Sequence, residues 1–358
     1  MSAYKRLFVL VALAGCSRAP SGTVWFGAAG PSHDANGAAN QRGAELALDE
    51  INTAQGQSRR FNIKFMDDSA NGVRAAGVAQ DFVNDPKVVA VVGHVNSGAM
   101  MAAAKVYDGH LPAIATAATS PALSGISRWT FRVISSDSLN GLRIATHMGR
   151  LGRKRAAVLY ENNAYGRGLA DAFRRGFSGE IVGIDPVSDR PGEDLEPFVT
   201  WYKQQHADLV FVAGTAASGL AFIKEARRQQ ITADLVGGNG WATMVGDPLA
   251  DGAYFPTPFN AADPRPEVQA FVAAYKKKYN ETPTAYAALA YDATKLLAQA
   301  VDKVGPDRIK IRDYLGSLPE TYHGVTGPIA FGPNGDPKDK SMLMARIRQG
   351  ALQVESNQ

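Results

Sequence analysis

The chain has 358 residues, 45% of them apolar and 20% charged, a balance that suits a globular protein with a sizeable core and excludes a disordered or low-complexity one. Lys5 and Arg6 supply two units of the formal net charge of +4, and the basic runs at 150–155 and 276–278 are short. That excludes the basic surface by which nucleic acid is held, and a single cysteine, Cys16, excludes a disulfide framework and a thiolate metal site.

The N-terminal segment opens on Lys5 and Arg6 without an acid, runs through an apolar stretch at 7–14, and ends in Gly15 ahead of Cys16. A charged start, a short apolar core and small residues before a cleavage point are the parts of a secretory signal. The core falls far short of the ~20 residues that span a bilayer. Leu13-Ala14-Gly15-Cys16 resembles the lipobox of bacterial lipoproteins, in which the cysteine is lipidated and becomes the new N-terminus. The resemblance implies a signal peptide over 1–15, a lipid on Cys16 and a short tether over 16–20. An ordinary signal peptide with an incidental cysteine is the plainer alternative. The mature chain is then exported, facing the periplasm or the cell surface and held to a membrane by lipid. Ser17, in place of the aspartate associated with inner-membrane retention in some Gram-negative bacteria, weakly favours the outer membrane in a host that has one.

Beyond the tether, short apolar runs alternate with longer amphipathic ones. Strands are predicted at 24–27, 61–65, 88–92 and 113–115, with helices at 40–52, 73–83 and 99–107 between them. The series restarts with strands at 157–160, 180–184, 209–212 and 235–236 and helices at 168–177, 195–205 and 219–229. Each step advances by a βα unit of ~30 residues, so the fold class is α/β, with two doubly wound parallel-sheet lobes. Two long helices at 266–279 and 285–304, a third at 309–315, and late strands at 325–331 and 342–347 break the pattern. These complete the first two lobes, so the chain crosses between them three times, near Ser135, Pro256 and Thr326. Lobe 1 takes 21–135 and 257–326, and lobe 2 takes 136–256 and 327–358.

Signs of catalysis are scarce. There is no Gly-x-Ser-x-Gly elbow, no His-Glu-x-x-His and no phosphate-binding Walker loop. Gly166-Arg167-Gly168 lacks the third glycine of a dinucleotide fingerprint and reads as a loop-to-helix turn. The histidines are dispersed, and His33-Asp34 reads as an exposed loop pair. No cofactor, metal site or catalytic residue is expected. Two loops are more informative: Gly93-His94-Val95-Asn96-Ser97-Gly98 and Thr116-Ala117-Ala118-Thr119-Ser120-Pro121 follow neighbouring strands at the carboxyl edge, where α/β folds bind ligands. Ser97 and Thr119 bring hydroxyls, and helix starts bring free N–H groups, which together suit a small anion such as a carboxylate. The alternative is that Ser97 caps its helix and Thr119 closes a turn.

Gly27 to Gly30 with Pro31, the helix Gly43-Ala44-Glu45-Leu46-Ala47, Asp67-Asp68-Ser69, Gly93-His94, the segment 112–121, Tyr165-Gly166-Arg167-Gly168 and Tyr291-Asp292-Ala293 occur in this order. Together they resemble the leucine/isoleucine/valine-binding family, the type I periplasmic binding proteins that feed branched-chain amino acid ABC transporters. The resemblance implies an amino acid bound between two lobes that close by a hinge. Ser97 and Thr119 would hold the carboxylate, the carbonyl of Ala117 and the hydroxyl of Thr119 would face the amino group, with Ala118 between them, and Tyr165 would close over the solute. The departures are polar. Asn239 stands where the family carries an acid for the ligand ammonium, Thr215 replaces an aromatic, Asn36 replaces the aromatic of a first loop one residue longer, and Tyr286 stands where an apolar residue is common. A solute that keeps a carboxylate but lacks a simple α-ammonium, or an amide or hydroxylated acid, is therefore expected.

The expected function is that of a lipid-anchored, monomeric solute-binding protein. It would deliver an amino acid, amide or small carboxylate to ABC permease subunits, without a covalent step. A ligand sensor of the amide-receptor type, and an envelope lipoprotein that keeps the fold without its ligand, are the alternatives.

Overall fold

The computed structural model describes residues 22–54, 59–188 and 192–355. The signal segment, Cys16 and the tether lie outside the described residues. The first lobe begins with β1 (Thr23–Gly30), α1 (Ala35–Thr53), β2 (Arg60–Asp67), α2 (Gly72–Asn84), β3 (Val88–Val92), α3 (Ser97–Tyr107), β4 (Ala113–Ala115) and β5 (Thr130–Arg132). Its five strands are all parallel, in the order β2-β1-β3-β4-β5. β3, Val-Val-Ala-Val-Val, is buried along its whole length because helices cover both faces of a parallel sheet. On β1, alternation sends Val24, Phe26 and Ala28 to one core and Ala29 to the other.

The second lobe follows with α4 (Asp137–Arg150), β6 (Arg155–Glu161), α5 (Ala164–Gly176), β7 (Glu180–Val187), α6 (Glu196–Gln204), β8 (Leu209–Ala213), α7 (Ala216–Arg228), β9 (Asp234–Gly237) and β10 (Tyr254–Thr257). The chain then returns to the first lobe as α8 (Pro266–Tyr279), α9 (Ala285–Val304) and α10 (Arg308–Gly316). α9 packs along α1, Tyr279 donates a hydrogen bond to the Arg42 carbonyl, and Arg308 reaches the Val88 carbonyl of β3. A small hairpin, β11 (Tyr322–Gly324) and β12 (Gly327–Ile329), precedes β13 (Leu343–Arg348) and β14 (Ala351–Val354). The second sheet runs β14-β13-β10-β9-β8-β6-β7, with β10, β13 and β14 antiparallel to one another in turn and the rest parallel.

Two parallel-sheet α/β lobes are thus present, and several details differ from the sequence reading. α1 starts at Ala35, ahead of the predicted 40, because the Asp34 side chain caps it by accepting from Asn36 N at 2.6 Å. Asn36 therefore sits in a first helical turn, not a loop. The predicted strand at 325–331 shortens to β12 and pairs with β11 instead of joining a main sheet. Pro256, read as a crossing, lies inside β10 opposite Met344. Residues 332–336, read with the second lobe, lie against the first: Arg132 N donates to the Gly335 carbonyl, and Arg132 Nε to Asp336 Oδ1 at 2.6 Å. The chain joins the second sheet only at β13.

Candidate functional site

The carboxyl ends of both sheets face each other across a cavity of about 290 Å³, near the lower end of the ~300–1,000 Å³ range of small-molecule sites. A larger depression of about 490 Å³ lies between α4 and residues 340–344, away from the strand-end loops. The first lobe contributes Asn36, Ser97, Ala117 and Tyr286 to the smaller cavity, and the second contributes Tyr165, Thr215 and Asn239. These seven were singled out from the sequence. Ala118 and Thr119 were too, and they lie fully buried beside the wall without lining it.

Asn96, not Ser97, caps α3, and it makes no side-chain cap bond. The first-turn N–H groups are thereby left without a cap side chain, at the positive end of the helix dipole. Ser97 Oγ instead accepts the backbone N–H groups of Thr119 at 3.2 Å and Ser120 at 3.1 Å. Ser97 thus joins the two loops after β3 and β4, and its hydroxyl hydrogen remains available to donate. Arg132, buried beneath, secures the second loop by donating from Nη1 to the Ser120 carbonyl at 2.9 Å and from Nη2 to Ser124 Oγ at 2.7 Å.

Asp137 opens α4 where the chain passes to the second lobe, and its N–H donates to the Thr119 carbonyl at 2.8 Å. Burial pushes its carboxyl up to about 7. The Thr119 hydroxyl is near enough to influence that charge, yet Thr119 Oγ1 and Asp137 Oδ2 make no well-formed hydrogen bond.

On the second lobe, the Asn163 side chain caps α5 through Tyr165 N and Gly166 N, each at 3.0 Å, and so aims Tyr165 at the loop after β9. The Tyr165 hydroxyl donates to Asn239 Oδ1 and accepts from Gly240 N, both at 3.2 Å. Burial raises its phenol well above the ordinary range.

Glu161, at the end of β6, is a cavity residue that the sequence reading missed. Its Oε1 accepts from Thr215 N at 2.8 Å, Thr215 Oγ1 at 2.7 Å and Ser218 Oγ at 2.6 Å, and its Oε2 from Asn163 Nδ2 at 3.0 Å. Thr215 is thus turned toward Glu161 at the start of α7. The one available signal was an acid closing an apolar strand directly before the Asn163 cap.

The arrangement can hold a small polar solute through hydroxyls, amides, a carboxylate and helix-start N–H groups. Among the described residues no cluster of metal-ligating side chains occurs, and no helix is long and apolar enough to cross a membrane.

The chain is 30% identical over 336 residues to an amino acid binding protein of Pseudomonas aeruginosa, covering 88% of this chain and 87% of the relative. The branched-chain amino acid transporter substrate binding protein LivJ of Streptococcus pneumoniae, solved with isoleucine, superposes with a TM-score of 0.85 at 30% identity, covering 93% of this chain and 98% of that one. The leucine binding protein LivK of Thermotoga maritima superposes at 0.86 with 25% identity, covering 93% of this chain and 98% of that one. The profile of the periplasmic binding protein family matches residues 27–351, and the chain belongs to that family.

Proposed function

We propose that this chain is the solute-binding component of an ABC importer, tethered through a lipid on Cys16, and that it takes a small polar carboxylate or amino-acid-like solute into the interlobe cavity. The observation that carries the reading is the convergence of strand-end loops from both sheets on one polar cavity. In this reading the solute carboxylate lies at the start of α3, taking the Ser97 hydroxyl hydrogen and first-turn N–H groups, while the Ala117 carbonyl faces a donor on the solute. Thr119 supports that loop from beneath, and Tyr165, Thr215 and Asn239 close on the other end as the lobes swing together. The relatives' amino acid ligands are consistent with this class of solute.

Thermal unfolding of the full chain in mild detergent, screened with amino acids, their amides, hydroxy acids and short carboxylates, tests the reading. A solute at ~100 times its Kd should stabilise the protein by about 2.7 kcal/mol. Ser97→Ala should remove that stabilisation, since it deletes the donor and frees the Thr119 and Ser120 N–H groups. No shift with any member of the panel would sink the proposal.

A further inference from the structure

Two carboxylates line the cavity, Asp34 and Glu161, and no lysine, arginine or histidine accompanies them on its wall among the described residues. Asp34 is engaged as the cap of α1 through Asn36 N. Glu161 is 1% exposed, and its two oxygens are used unequally. Oε1 accepts from three donors, all at the start of α7, whereas Oε2 accepts only from Asn163 Nδ2. A carboxylate offers about four lone-pair sites over its two oxygens, so Oε1 is saturated and Oε2 keeps capacity for another donor. The α7 terminus helps to hold the charge, but no cation neutralises it, and a buried carboxylate is most favourable when one does. Independently, Asn36 Oδ1 lies buried on the facing lobe with no hydrogen-bond partner, a second acceptor in want of a donor.

We infer that Glu161 is the specificity-determining residue of this site: it receives a cationic nitrogen on the solute, which is therefore a small zwitterion. The inference rests on the solute-binding reading and names its ligand class. It also alters the expectation drawn from Asn239. The acid missing at that position is supplied from the end of β6, on the same wall, and Asn239 is left to accept from Tyr165. The carboxylate of the solute engages the first lobe at α3 and its ammonium engages the second at Glu161. One small molecule then bridges the lobes with opposite charges, and a solute lacking either charge leaves one lobe ungripped.

Calorimetric titration of the full chain with matched probes tests this: alanine against lactate, and 4-aminobutanoate against butanoate. Within each pair the change removes an ammonium and keeps the carboxylate. In at least one pair the amino member should bind at least about thirtyfold more tightly, the scale expected when a buried charge partner is withdrawn. Glu161→Gln should erase that preference, and Glu161→Asp, which keeps the charge on a shorter stem, should retain part of it. The melting temperature without solute checks that each variant is folded, and if Glu161→Gln fails to fold, Glu161→Asp and the wild-type pairs decide. Equal binding within both pairs, or a preference that survives Glu161→Gln, overturns the inference while the solute-binding reading stands. Silence from these probes and from the whole thermal panel overturns both.

Discussion

Ser97 is first of all a structural tie. Its oxygen satisfies two buried N–H groups, and leaving such groups unpaired costs about 1–3 kcal/mol each. Asp137 sits close by, with a conflict of its own. Its folded pKa of about 7 lies above the ordinary 3.8, so the folded state binds the proton more tightly than the unfolded one. The stability this contributes is fully present below pH ~4 and is lost as pH rises through about 7, a change of a few kcal/mol at about 1.36 kcal/mol per unit. In urea titrations, Asp137→Asn should gain on the wild type progressively between pH 4 and 7 and hold a constant lead above pH 8. A constant gap across the whole range would contradict the assignment. At this scale the sequence was legible where a cavity-lining side chain follows its own strand directly, as with Ser97 after β3 and Tyr165 after β6. It was not legible for Glu161, whose meaning depends on Thr215 and Ser218 at the start of another unit's helix.

The elements that the sequence hid are short, or carry apolar residues beyond their packing face. α4 packs on α5 and buries Asn140, Gly141, Ile144, Ala145 and Met148, while Leu139 and Leu142 remain 56% and 47% exposed. Gly141, Ile144, Ala145 and Met148 do follow the spacing of a buried stripe, but Leu139 and Leu142 add apolar residues outside it and blur the signal. Gly141 is there because an added Cβ would lie 2.6 Å from the Ala172 Cβ. β5 and β10, at three and four residues, are too short to announce themselves by alternation, and β10 pairs with the distant β13. By contrast α9 runs for twenty residues with fifteen of them buried, and its predicted limits match the observed ones. Its contact with α1 depends on Gly43, where a Cβ would come within 2.0 Å of the Ala287 carbonyl. Gly43→Ala must separate two long helices of the first lobe, and it should lower stability by ~1–3 kcal/mol or more, read as a shift of the denaturant midpoint. An unchanged midpoint would show that the α1–α9 contact yields without cost.

At the scale of the whole molecule, the repetition of βα units was enough to give two parallel sheets, and the tail's change of pattern was enough to show that it completes both. The later crossing points were not legible, because residues such as Gly335 and Asp336 belong to the first lobe through Arg132 and Ser124, far away in sequence. The passages between lobes lie near residues 133–136, 258–265 and 337–342. Lobes joined by three short strands of chain can rotate but not separate. In small-angle scattering, a saturating solute should therefore reduce the radius of gyration without any change in mass. An unchanged radius with a bound solute would mean that the cavity is already closed without it.

The interleaving of the lobes also dictates when each can be finished. Ribosomes make the chain from its N-terminus, yet the first sheet waits for α8, α9 and α10 to cover it, and β10 stays an open edge until residues 343–354 arrive to pair with it. A growing chain consequently carries two half-built sheets at once, and compact folding is put off until synthesis is almost over. Such late completion holds back the native packing of both lobes until nearly the whole chain has been made, which would suit a chain that crosses a membrane before it folds.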